Sequence, residues 1–99
     1  MSTRRSKFEI YMDILAQINN GVNIPTRIMY SSNLSWKPLQ EVLQSLQSQG
    51  LIEEYPIEKG DKRTKKAYRV SEKGNEVLRY FNKAVETMEK SAKAVHGRV

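Results

Sequence analysis

The stretch that most constrains this chain is Asn33–Leu51, NLSWKPLQEVLQSLQSQGL, which reads as one helix with a marked start, a marked stop and two unlike faces. Ser35 is a good N-cap, because its hydroxyl can take up a free backbone N–H of the first turn. Pro38 falls inside that first turn, where a missing N–H costs little. Gly50 stands where a left-handed C-terminal residue is wanted. At 100° per residue, Leu39, Val42, Leu43 and Leu46 share one stripe, with Trp36 at its edge. The opposite side carries Lys37, Gln40, Glu41, Gln44 and Ser48. Glutamine side chains at such spacing can reach base edges in a DNA major groove. An ordinary solvated surface helix would show the same face, so the neighbouring segments must decide between the two readings.

Upstream, Ser6-Lys7-Phe8-Glu9 has capping-box spacing. Phe8, Tyr11, Ile14, Leu15 and Ile18 then recur at threes and fours, which predicts a first helix from about 7 to 20. Asn19-Asn20-Gly21 ends it. Asn23 is the expected cap of a short second helix with Pro25 in its first turn and Ile28 and Met29 facing inward, and Ser31-Ser32-Asn33 breaks that helix after about two turns. A short helix, a polar break and a longer two-faced helix is the layout of a helix-turn-helix.

After Gly50 the period changes. Leu51–Ile57 reads as a strand, with Pro56 arguing for an edge or a strand end. The segment 59–66, KGDKRTKK, holds no apolar residue and reads as a hairpin loop, and 67–70 alternates as the returning strand. A helix-turn-helix followed by a hairpin with a basic tip is a winged helix. The expected fold class is therefore mainly α with a small β-hairpin, a winged helix-turn-helix.

Ser71 is the expected cap of a last helix from Glu72 to about Ala94. Gly74 near its start should weaken the first turn by roughly 1 kcal/mol relative to Ala. Leu78, Phe81, Val85, Met88, Ala92 and Val95 are spaced 3-4-3-4-3, a heptad seam flanked by Lys83, Glu86, Glu89, Lys90 and Lys93. A helix of about 23 residues is roughly 35 Å long and would outreach the remaining domain. Pairing with the same helix of a second copy is the simplest way to cover the excess. The other possibility is a helix folded back over its own core. The expected organisation is a winged helix-turn-helix domain with a basic N-terminal arm over 1–71 and a C-terminal dimerisation helix over 72–99, within one single-domain chain.

Charge supports a polyanionic partner. The net charge is +6 over 99 residues, with +3 in residues 1–7 and +4 in 59–66, so the remaining chain is −1. Such concentration is the electrostatic footprint of nucleic-acid binding, although a solubilising tail and loop would also produce it. The chain has no cysteine, which excludes disulfides, thiolate zinc sites and thiol chemistry. No apolar run of signal or membrane-spanning length follows MSTRRSK, so the expected location is cytoplasmic, on the nucleoid.

Two runs also resemble a known family. RIMYSSNLSWKPLQEVLQSLQSQGLIEE (27–54) and YRVSEKGNEVL (68–78) are similar to the small archaeal winged-helix DNA-binding proteins that dimerise through a C-terminal antiparallel coiled coil. The matching pieces are Ile28-Met29-Tyr30, Asn33-Leu34-Ser35, Gly50-Leu51-Ile52 and Ser71-Glu72-Lys73-Gly74. The Gly-Leu-Ile and Ser-Glu-Lys-Gly pieces are common among winged helices, whereas all four together are fairly specific. The resemblance spans about residues 7–95. It implies duplex DNA binding and an antiparallel coiled-coil homodimer, and relatives include both chromatin-type binders and transcriptional regulators.

As a DNA binder the chain divides by role. Lys37, Gln40, Glu41, Gln44 and Ser48 would meet the major groove. Trp36 and Lys37, with Arg27 on the second helix and Ser31 and Ser32 after it, are candidates for backbone phosphate. Lys62, Arg63, Lys65 and Lys66 would follow the flanking backbone or minor groove, with Arg4 and Arg5 as an arm. The groove face holds a single cation, which favours modest sequence preference. The alternative is a winged-helix protein–protein interaction module, for which a concentrated basic tip is unexpected. There is no phosphate loop, nucleophile–base pattern or ligand cluster, so the chain is expected not to be an enzyme and to need no cofactor. His96 is isolated and is expected to bind no metal. RNA stacking, a membrane surface and a small-molecule ligand find no support in the pattern.

Overall fold

The computed structural model describes residues 6–58 and 64–96, without the side chains of 58, 64 and 91–96. Arg4, Arg5, Lys62 and Arg63 therefore lie outside the described residues, as do the side chains of Ala92, Val95 and His96. The order of elements is α1 (Lys7–Asn19), α2 (Pro25–Ser32), α3 (Trp36–Ser48), β1 (Ile52–Glu58), β2 (Thr64–Val70) and α4 (Glu72–His96). This is a winged helix with a long C-terminal helix.

Both halves of the first capping box are present: Glu9 N–H donates to Ser6 Oγ at 3.1 Å and Ser6 N–H to Glu9 Oε1 at 3.3 Å. The N-caps expected for α2 and α3 work differently from expectation. Ser35 is the N-cap of α3, yet its hydroxyl makes no capping bond. The third residue of that helix is Pro38, which has no N–H to offer it. Asn23 does not cap α2, whose N-cap is Ile24. Its side-chain Nδ2 instead donates to the Tyr55 hydroxyl at 3.0 Å, and its carbonyl accepts the Tyr68 N–H at 3.0 Å. Asn23 thus ties the loop before α2 to both strands.

The end of α3 is a Schellman turn. Gly50 has φ of +76°, its N–H donates to Gln47 O at 3.0 Å, and Leu51 N–H reaches back to Leu46 O at 2.9 Å. The chain enters β1 there. β1 and β2 pair antiparallel from Ile52 opposite Val70 to Glu58 opposite Thr64. β2 therefore starts three residues earlier than expected, and Lys65 and Lys66 are strand residues facing Ile57 and Pro56 across the ladder, not loop residues. Their backbones pair while their side chains stay in water, so polarity was no bar to a strand.

Ile14, Leu15, Ile28, Leu39, Leu43, Leu46 and Ile52 are fully buried, and Tyr68 and Leu78 join them from β2 and α4. The first turn of α4 is fastened to the end of α3. Ser71 Oγ donates to Gly50 O at 2.6 Å and accepts Gly74 N–H at 3.0 Å, while Lys73 Nζ donates to Gln49 O at 2.9 Å. Gly74 is what permits this approach. A Cβ there would fall onto the Leu51 carbonyl oxygen and 2.6 Å from Val70 Cγ1. The glycine that weakens a helix in isolation is a steric requirement in this fold.

The expected seam on α4 needs correcting at its start. Leu78 is only 5% exposed and belongs to the chain's own core, because α4 crosses α1 and β2 at this level. Phe81 is half-buried against the same core. Every residue from Asn82 to Lys90 is then exposed as the helix leaves the domain. Among the described residues, no helix is long and apolar enough to cross a membrane.

Candidate nucleic-acid interface

The four buried residues of α3, Leu39, Val42, Leu43 and Leu46, seat one face of the helix and turn the other outward. Lys37, Glu41, Gln44 and Ser48, spaced four, three and four, form the outer ridge and are all exposed. Gln40 and Trp36 lie on the flank toward the hairpin, Gln40 half-buried and Trp36 48% exposed. Gln47 is exposed on that flank as well, a polar residue the sequence reading passed over because it was not opposite the apolar stripe. Ser48 is partly committed, its hydroxyl donating to Ser45 O at 2.9 Å.

A cleft of about 350 Å³ opens between this flank and the hairpin, lined by Ile24, Pro25, Thr26, Trp36, Gln40, Lys65, Lys66 and Tyr68. Three elements far apart in the chain meet here, which is why the apolar members and Thr26 could not be picked out from spacing alone. Tyr68 forms part of its inner wall. Burial, and secondarily the Glu54 carboxylate, push the Tyr68 phenol above its usual range. Lys66 Nζ stands 3.7 Å from Glu54 Oε2, a loose and largely solvated pair, and Lys65 has no ion pair among the described residues. On the other flank of α3, Glu41 lines a second groove with Lys7, Ile10, Tyr11, Leu34, Pro38 and Val42.

The structure thus brings Trp36 and Gln40 together with Lys65 and Lys66 in one cleft, next to the ridge of Lys37, Glu41, Gln44 and Ser48. Arg27 and Ser31 are exposed on α2. Ser32 is not available as a phosphate ligand. It is 2% exposed, and its hydroxyl donates to Ile28 O at 2.6 Å within its own helix. Among the described residues, no group of three or more His, Asp or Glu could hold a metal ion.

A family model described as winged helix-turn-helix matches residues 4–89. An uncharacterised protein of the archaeon Methanocaldococcus jannaschii is 32% identical over 85 residues, covering 86% of this chain and 78% of that protein. Among solved structures, the fold is similar to a PadR-like transcriptional regulator of Bacillus cereus, with a TM-score of 0.78 at 19% identity, covering 90% of this chain and 92% of the other. It is also similar to ZitR, a zinc-responsive MarR family member of Lactococcus lactis, with a TM-score of 0.72 at 19% identity. That alignment takes in 99% of this chain and 66% of ZitR, so the chain spans about two thirds of that regulator's length.

Proposed function

This chain belongs to the winged helix-turn-helix family, and from that membership we propose that it is a double-stranded DNA-binding protein, acting as a homodimer in transcription regulation or chromatin-type binding with modest sequence specificity. The fold is not that of an enzyme. The observation that carries the reading is the exposed Lys37–Glu41–Gln44–Ser48 ridge standing beside a cleft to which the hairpin's second strand contributes Lys65 and Lys66. A helix of about 10–12 Å diameter fits a major groove of about 12 Å. The ridge would meet base edges, and Arg27, Ser31, the hairpin lysines and the basic residues Arg4, Arg5, Lys62 and Arg63 would meet the backbone. A ridge with one cation and one carboxylate reads bases weakly, so phosphate contacts supply most of the affinity.

The dimer reading rests on α4. Phe8, Val77, Tyr80, Phe81, Ala84, Val85 and Met88 line an apolar groove of about 430 Å³. With Leu78 committed to the core, the stripe left for a second copy is centred on Val77, Phe81, Ala84 and Met88, with Val85 and Tyr80 at its margins. This keeps heptad spacing at four, three and four but turns the seam toward Val77. In this reading residues 1–71 are the DNA-binding unit and 72–99 the dimerisation helix, whose first turns also close the core. The expected setting is the cytoplasm, on the nucleoid.

The test is a titration of labelled duplex DNA at increasing salt, comparing random sequence with the protein's own promoter. Affinity should fall about 10³-fold or more between 50 and 200 mM salt. A flat response would refute phosphate-driven binding, and no binding to any duplex would favour the protein-contact module instead.

A further inference from the structure

The cleft beside α3 has a composition that the ridge does not explain. Trp36 is half exposed on the flank of the helix and points into this cleft rather than toward a groove floor. When a helix fills a major groove, its ridge faces the bases and its two flanks face the two sugar–phosphate strands. The hairpin-side flank suits a strand better. The α1-side groove sets the Glu41 carboxylate against the single cation Lys7, whereas the hairpin-side cleft is lined by two lysines and no acidic residue. Its apolar wall, Ile24, Pro25 and the Trp36 indole, suits the carbon face of a sugar. A volume of about 350 Å³ is at the small end for ligand pockets and fits a single sugar–phosphate unit.

We propose that the cleft between β2, the start of α2 and the first turn of α3 seats one deoxyribose–phosphate unit of the DNA backbone, with the Trp36 indole against the sugar and Lys65 and Lys66 on the phosphate. Lys66 is free to serve because its pairing with Glu54, at 3.7 Å and with the lysine 70% exposed, is weak. The seat makes the ladder of the hairpin, and not only its tip, a DNA-contacting element. It fixes how far the ridge can slide along the groove. It rests on the DNA-binding reading above.

The chain contains one tryptophan, so its fluorescence reports on this cleft alone. The full chain is titrated with a labelled random-sequence duplex, following duplex anisotropy and tryptophan emission together. The expected result is a quenched, shifted Trp36 emission with the same midpoint as the anisotropy. Trp36→Ala should weaken binding about three- to tenfold for every sequence while leaving the salt slope unchanged. Trp36→Phe, which keeps an aromatic face, should recover most of the loss and controls for misfolding. Lys65→Gln and Lys66→Gln should each reduce the salt slope by about one. Binding by anisotropy with unmoved Trp36 emission and a wild-type affinity for Trp36→Ala would overturn the seat and leave the DNA reading standing. Emission that responds to a small organic anion but not to DNA would also overturn it. No anisotropy change with any duplex would remove the DNA reading itself.

Discussion

The Phe8 ring of α1 meets the Phe81 ring of α4 edge to face, with centroids 5.5 Å apart and planes inclined at 64°. Phe8 nonetheless remains 59% exposed, so the pair closes one side of an apolar groove without filling it. Phe81 holds the fold as well as facing the groove, and Phe81→Glu would therefore mix unfolding with dissociation. Met88, 70% exposed and beyond the core, separates the two. Met88→Glu should leave the thermal midpoint measured on monomer nearly unchanged and convert the sedimenting species from twice the 11.5 kDa chain mass to the chain mass. A dimer that survives Met88→Glu and Val77→Glu alike would place the interface elsewhere.

Gly74→Ala should destabilise the fold even though alanine favours helix by about 1 kcal/mol. The Cβ would meet the Leu51 carbonyl, which cannot move aside because it accepts the Ser71 N–H at 3.0 Å. Overpacking costs about 1–3 kcal/mol, and a clash with backbone this close belongs in the upper part of that range, so after the helix gain a net loss of about 1–2 kcal/mol is expected, or roughly 5–10 °C in Tm. Asn75→Ala, an exposed position in the same turn, is the control and should not lower Tm. Equal melting of the two variants would show that the α3–α4 junction yields.

The parts of this fold legible from the chain were those written in local chemistry. The Ser6–Glu9 box, the α3 stripe and the Gly50 turn all depend on residues within one or two turns of each other, and all three stand in the structure. What was not legible depended on partners far away in sequence. Gly74 reads as a weakness until Leu51 is laid over it. Leu78 fits a heptad seam by spacing, and only the crossing of α4 over α1 and β2 claims it for the core. Ser32 reads as an exposed break residue, because nothing nearby says which side of α2 will be covered. Lys65 and Lys66 look like loop because strand pairing depends on the opposite strand, at Ile57 and Pro56, and not on their own polarity. The cleft combines both failures, since its lining comes from three separate elements.

Tyr68 gives a pH dependence whose sign is set by burial. Its phenol is raised above 10.0 by desolvation and, secondarily, by Glu54, so the folded chain holds this proton more tightly than the unfolded chain does. The resulting stability is fully present below the unfolded value near pH 10 and is lost as pH rises through the folded one. Tyr68→Phe removes the titrating group. Denaturation midpoints measured at about pH 8 and about pH 11 should therefore fall less for Tyr68→Phe than for the wild type. An identical alkaline loss in both would show that burial of Tyr68 does not govern it.

The ridge and the backbone-facing lysines should separate in one competition experiment. Gln44 is exposed at the centre of the ridge, where its amide can donate to and accept from one base edge. Gln44→Ala should cost about 1–3 kcal/mol against the preferred base and almost nothing against others, so a pool of duplexes competed against one another would be re-ranked. Lys65→Gln with Lys66→Gln should weaken every duplex alike and preserve the ranking. Ser32→Ala, whose hydroxyl is turned inward to Ile28 O, should leave both affinity and ranking unchanged when protein is fully folded. Re-ranking by the lysine pair, or a uniform loss from Gln44→Ala, would reverse the roles given to ridge and hairpin. The selectivity of a single ridge this poor in cations should be small, and a dimer would double its reading by holding two ridges in fixed relation. The Ser71 and Lys73 bonds tie the start of α4 to the end of α3, and in a dimer paired through α4 they would make that relation rigid.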